Sequence, residues 1–247
     1  MIEVPVFSVE SAIAAMKGGA GRLEVCSGFP EGGTTPSFGL LTLIKEKVNI
    51  PVHAMIRPRG GDFLYSEYEF EIMKRDTMHC RSLGIEGVVF GILLPNGDVD
   101  VERCKTLVEF ARPMSVTFHR AFDRCREPFI ALNTLVDCGF NRLLTSGQAV
   151  TADKGTDLIV DLIKDAGNSL IVMPGAGVNE KNIGMIAKTT GAVEFHLSGK
   201  VKQDSLMEFR REEISMKSNG AESDYEHYFT SAEKIMLARE VLESLVR

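Results

Sequence analysis

The sequence predicts a single-domain (β/α)8 barrel spanning residues 1–247. Three observations point to it. Short β-rich runs alternate with stretches of helical periodicity, the pattern of a parallel sheet. Eight such runs fit within 247 residues, matching the eight units of a closed barrel. The first turn from strand to helix reads "VPVFS" and lacks the glycines with which a doubly wound open sheet usually begins.

Strands are expected at Ile2–Val6, Arg22–Cys26, Val52–Ile56, Gly87–Phe90, Val116–His119, Arg142–Thr145, Ile171–Met173 and Val193–His196. Between them, "SVESAIAAMK", "SFGLLTLIKEKV" and "FIALNTLVDC" carry helical spacing, with Ser8 and Ser37 as N-caps of the first two helices. Gly19, Gly84, Gly139 and Gly191 precede strands 2, 4, 6 and 8. A left-handed glycine there turns a helix back into the sheet. Pro51 and Pro113 stop the helices before strands 3 and 5. Ser198–Asp224 is polar and without clear periodicity, and is expected to leave the active-site rim as a mobile, functional or interface excursion. A helix from Tyr225 to Val246 would then close the barrel.

Composition excludes several classes of function. The net charge is −6 and no Lys/Arg-rich run stands out, which argues against nucleic acid as a partner. No apolar run is long enough to cross a membrane, and Met1–Val9 lacks the features of a signal peptide. Five scattered cysteines form no disulfide framework, so reduced thiols and a cytoplasmic location are expected.

Strands covered on both faces should be almost continuously apolar, yet these carry Glu3, Arg22, Glu24, Glu194, His196 and the end "TFHRAFD". Alternation along a strand puts Glu24 with Cys26, Glu194 with His196 and Ser198, Thr117 with His119, and Met55 with Arg57. Such charges are either a self-satisfied ion network plugging the barrel or a polar site at its C-terminal mouth. The site is preferred, because the charges gather near strand ends and continue into loops. In "HAMIRPRGGDF", Arg57 is expected to point into the upper barrel and pair with Glu24. That leaves Arg59 to grip an anion, with Asp62 orienting an arginine or capping the next helix. Ser146 and Gly147 in "LTSG", Gly175 and Gly177 in "MPGAGV", and Ser198 and Gly199 in "HLSG" occupy the loops where barrels bind phosphate through backbone N–H groups.

His119, Glu24 and Glu194 are the candidates for proton transfer, with His196 beside them. No lysine lies on a predicted strand, which argues against Schiff-base chemistry, and no nucleophile elbow is present. Cys26, His119 and His196, helped by Met55 and Cys125, are soft donors suited to Cu(I) or Zn(II). Cys80, Cys104 and Cys138 fall on predicted helices and read as structural thiols. His79 and His227 read as ordinary helix residues, and His53 as buried low in the barrel.

The stretches "SVESA", "GAGRLEVCSG", "EGGTTPS", "IRPRGGDFLYS", "VTFHRAFD", "LTSG", "MPGAGV" and "EFHLSG", in that order, resemble the copper homeostasis protein CutC family. The resemblance implies a cytoplasmic (β/α)8 barrel, a homo-oligomer (a dimer or tetramer), and an association with copper tolerance and Cu(I) binding. It also implies a cysteine at the end of strand 1, where this chain has Pro5. Three readings follow: copper homeostasis with weak Cu(I) binding at the mouth, an isomerase, epimerase or lyase acting on a small phosphorylated or carboxylated metabolite, and a scaffold that assembles through Ser198–Asp224.

Overall fold

The structure is a computed structural model and describes residues 1–214 and 223–245. Eight parallel strands form the barrel: β1 (Ile2–Val6), β2 (Arg22–Val25), β3 (Val52–Met55), β4 (Gly87–Phe90), β5 (Ser115–Phe118), β6 (Arg142–Thr145), β7 (Ile171–Pro174) and β8 (Phe195–His196). They pair in the order β7-β6-β5-β4-β3-β2-β1-β8. The first strand joins the last, with Glu3 opposite His196, so the sheet is a nearly closed (β/α)8 barrel.

Helices α1 (Val9–Lys17), α2 (Phe38–Lys47), α3 (Glu67–Ser82), α4 (Val101–Ala111), α5 (Pro128–Cys138), α6 (Thr156–Ala166), α7 (Ile183–Thr190) and α8 (Ala232–Ser244) surround it. Ser8 and Ser37 accept from the N–H groups of Ser11 and Leu40 as N-caps. Gly19, Gly84, Gly139 and Gly191 take φ values of 88°, 69°, 88° and 70°, the turn-back expected of them.

The pattern of each strand decides which way its side chains go. Val4, Val6, Leu23, Val25, Val52, Ala54, Val88, Phe90, Val116, Phe118 and Leu143 belong to the large core between sheet and helices. The alternate positions point into the barrel, where the only separate apolar cluster among the described residues is Cys26, Met55 and Val89. Leu144 and Met173 also lie inward and buried, and the rest of the buried interior is polar: Glu3, Arg22, Glu24, His53, Thr117, His119 and Glu194. Helix packing therefore supplies most of the apolar core, and the barrel lumen is left largely to charge.

One region departs from the sequence reading. After Gly199 the chain forms β9 (Lys200–Asp204), paired antiparallel with β10 (Glu226–Thr230). The ribbon is closed at its base by the Ser231 N–H donating to the Gly199 carbonyl at 2.9 Å. Helix α8 starts only at Ala232, capped by Ser231, so 226–230 is strand and His227 lies on β10, not on a helix. The ribbon escaped detection because β9, "KVKQD", is polar and solvated on nearly all sides, leaving no hydrophobic alternation to read. Residues 215–222 of the expected excursion lie outside the described residues.

Candidate functional site

The lower lumen holds a chain of ion pairs. Arg22 donates through Nε to Glu3 Oε2 at 2.5 Å and through Nη2 to Glu194 Oε2 at 2.7 Å. Arg142 Nε donates to the same Glu194 oxygen at 2.8 Å, and its Nη1 to Ser115 Oγ at 2.6 Å. Buried charge is tolerable only when paired in this way. Glu194 is thus a member of this network.

Above it the pairing becomes incomplete. His196 Nδ1 lies 2.8 Å from Glu3 Oε1, and its Nε2 lies 3.9 Å from Glu24 Oε2. Glu24 Oε2 accepts weakly from Cys26 Sγ at 3.6 Å, while Glu24 Oε1 is buried with no partner. Burial pushes the Glu24 carboxyl up to about 7, with Glu3 adding to the rise and His196 opposing it. Burial disfavours the charged His196 imidazole, but the nearby Glu24 and Glu3 outweigh it and raise its pKa. For Glu3, burial is likewise outweighed, by His196 and Arg22, and the carboxyl stays ionised far into acid.

Glu24, Cys26 and His196 line a cavity of about 560 Å³ that opens among the loops after β7 and β8. Gly177, Ser198 and Gly199 share this lining, as do Lys200 and Lys234. Pro5, opposite Glu24 in the β1–β2 register, is on it too and offers neither donor nor thiol.

The remaining expected site residues go elsewhere. Arg57 does point inward, but it is not paired with Glu24, and no carboxylate among the described residues lies within salt-bridge reach. Its Nη1 donates to the carbonyls of Glu31 (2.6 Å) and Gly33 (2.8 Å), its Nη2 to that of Gly61 (2.9 Å), and its guanidinium lies 5.1 Å over the Phe63 ring. Two loops bring three carbonyl oxygens to its Nη atoms in place of a counter-ion, while Nε is buried without a partner. Arg59 pairs with Glu69 (2.6 Å) and with Asp62 (2.9 Å), so Asp62 orients an arginine and Arg59 is held within its own loop.

His119 is buried and is not on the cavity lining. Its Nδ1 accepts from the Ala121 N–H at 3.2 Å, and its Nε2 has no partner. Burial, then Arg57, pushes it down to about 3. At neutral pH it is an uncharged imidazole. The loop after β6 is already filled: Asp123 accepts from the Ser146 N–H (3.0 Å), Ser146 Oγ (2.9 Å), Thr145 Oγ1 (2.5 Å) and the Gln148 N–H (3.2 Å). The Gly147 N–H donates to Thr145 Oγ1 and that of Gly175 to the Thr145 carbonyl, both at 2.9 Å. Ser146, Gly147 and Gly175 have therefore spent their amides inside the protein.

The donor set suits tight Cu(I) binding poorly. Cys26 packs against Met55, but burial, reinforced by Glu24, raises its thiol well above the ordinary value, whereas the metal takes the thiolate. The donors that converge within 4.8 Å of one another are Glu3, Glu24 and His196, oxygen and nitrogen atoms rather than soft sulfur. Glu3 is already engaged by Arg22 and His196. All five cysteines are free thiols, and no helix among the described residues is long and apolar enough to cross a membrane. Glu3 is the one member of this group that sequence reasoning left out of its candidate site. Its position in the first strand, two residues before Pro5, was the available signal.

Known proteins share this arrangement of elements. A copper homeostasis protein cutC homolog of Mus musculus is 48% identical over 246 residues, 98% of this chain and 90% of that protein. The Homo sapiens homolog is 45% identical, covering 100% of this chain and 90% of its own length. A family protein CutC of Chromobacterium violaceum is 48% identical, with 98% of each chain covered. Among solved structures, a CutC protein from Streptococcus agalactiae superposes with a TM-score of 0.75 at 31% identity, covering 79% of this chain and 97% of that one. Thiamine phosphate pyrophosphorylase from Pyrococcus furiosus, with a TM-score of 0.59 at 12% identity and covering 100% of this chain and 96% of that one, shares the barrel fold alone. The CutC family model matches residues 1–201, and the chain belongs to the CutC family.

Proposed function

We propose that the mouth of this CutC barrel is a small-molecule site in which Glu24 and His196 move a proton on an anionic metabolite. The observation that carries this reading is the Glu24 carboxyl: it lines the cavity, its Oε1 has no partner, and it titrates at about 7. A base poised near the working pH is what general acid–base catalysis requires. Glu3 holds His196 through Nδ1 and leaves Nε2 on the Glu24 side. When Glu24 takes a proton from a carbon next to a carbonyl, His196 sustains the charge redistribution behind it. Isomerisation, epimerisation and elimination all begin with that step.

Proton abstraction leaves an isotopic record. In D2O, small phosphorylated and carboxylated metabolites that bind should exchange a C–H for C–D, read by NMR. Glu24→Gln should abolish the exchange while the fold persists. Exchange that survives in Glu24→Gln, or its absence from every ligand that binds, sinks this reading.

Copper handling is the second reading, supported by the family's name and by Cys26, which meets Met55 and shares the cavity with His196. Because the thiol must lose its proton, Cu(I) affinity should be weak at neutral pH and rise by up to about tenfold per pH unit. Anaerobic titration against a competing chelator measures this. If Cys26→Ser binds Cu(I) as well as the parent, the site is elsewhere.

A further inference from the structure

The loops after β7 and β8 present backbone amides with nothing to donate to. Ala176 and Gly177 are consecutive left-handed residues, at φ 75° and 74°. The N–H groups of Ala176, Gly177 and Val178 have no acceptor among the described residues, and neither have those of Ser198 and Gly199. Gly199 is buried, and a buried backbone N–H is almost always paired. An alanine held at positive φ is a strained position of the kind that collects at ligand sites. The side-chain amides of Asn179 and Asn182 both donate to the Gly177 carbonyl at 2.9 Å, which fixes the loop.

The charge around these amides is favourable to an anion. Lys200 Nζ lies over the Phe29 and Tyr228 rings, and Lys234 Nζ donates to the Lys200 carbonyl at 3.0 Å. Both lysines line the same cavity as Gly177, Ser198 and Gly199, with Glu180 as the only acid there besides Glu24. Neither ammonium is paired with a carboxylate among the described residues. The loop after β6 provides an internal comparison: it gathers equivalent amides and fills them with the carboxylate of Asp123. No carboxylate of the described chain fills the β7–β8 loops.

We propose that the loops after β7 and β8 form a phosphate subsite, so that the molecule presented to Glu24 is a phosphate monoester rather than a carboxylate. This deepens, and rests on, the small-molecule reading above. Successive amides in a concave turn bind anions. Donors from two loops with two ammonium groups match three terminal oxygens and a double charge better than the two coplanar oxygens of a carboxylate.

Amide NMR on the full chain tests it, with inorganic phosphate as the probe and acetate as the control. Phosphate should shift the Gly177, Val178, Ser198 and Gly199 amides saturably, and acetate should not. Lys234→Met should weaken phosphate binding about tenfold, and Lys200→Met, the second variant should that one fail to fold, should weaken it likewise; affinity unchanged in the variant that folds overturns the role given to the ammonium groups. If phosphate leaves these amides unmoved, or acetate moves them equally, the subsite is overturned whatever Glu24 does. If phosphate binds here while no C–H exchange is ever seen, the subsite stands and the proton-transfer reading falls.

Discussion

Arg57 is held by carbonyl oxygens rather than by a carboxylate, and this alters what its loss should do. With Glu24 as its partner, removal would strand a buried charge and cost about 3–5 kcal/mol. With three carbonyls instead, Arg57→Met leaves acceptors short of donors, a penalty of about 1–3 kcal/mol. Arg59→Met breaks pairs on a side chain that is 38% exposed and should cost less than about 1 kcal/mol. Urea unfolding of the two variants checks the order, and an Arg59 variant hurt more than the Arg57 one would reverse the assignment. The direction of Arg57 was legible in the sequence, because a core strand ending in arginine must bury it or bend away. Its partner was not. Carbonyl positions depend on how the loops around Gly33 and Gly61 fold, and side-chain type says nothing of that.

At the scale of elements, the alternating strand pattern fixed both where the strands lie and which residues enter the lumen. Gly87 shows how tightly the two are coupled. It faces inward on β4, opposite His53 in the register, and the imidazole occupies the space a side chain there would need. Gly87→Ala should therefore overpack the lumen and cost about 1–3 kcal/mol. A Gly87→Ala variant as stable as the parent in thermal unfolding would mean that His53 is free to move. The loops were less legible than the strands. Glycine and serine after β6 looked like an anion site, and by geometry they are one, but a carboxylate from the Arg120–Arg124 turn already fills it. A motif shows that a nest can form and cannot show whether the chain supplies its own anion. The ribbon of β9 and β10 was missed for a different reason: a solvated two-stranded arm needs no hydrophobic face.

For the whole molecule, the lumen is where pH should act on stability. Glu24 titrates at about 7 in the fold against an ordinary 4.5. Between those values the folded protein keeps a proton that the unfolded chain has released, so stability falls as pH rises through this window and is level above it. At about 1.4 kcal/mol per unit, this amounts to about 3 kcal/mol. His196, raised above 6.5, acts in the same direction: its contribution is complete below 6.5 and is lost as pH climbs through its folded value. His53 and His119 oppose both. Each is held down to about 3 by burial, so below 6.5 the unfolded chain gains protons that the fold refuses, and stability drops with acid. Two histidines outweigh one carboxyl where the windows overlap, so stability should peak at about pH 6.5. Glu24→Gln removes the carboxyl together with its share of the His196 shift, while His53 and His119 remain in both proteins. From pH 5 to 7 the parent should lose stability relative to the variant by up to about 3 kcal/mol. Urea unfolding at each pH measures the difference. A gap that does not change with pH would mean that Glu24 is an ordinary carboxylate, and the lumen would then be an ion plug from bottom to top.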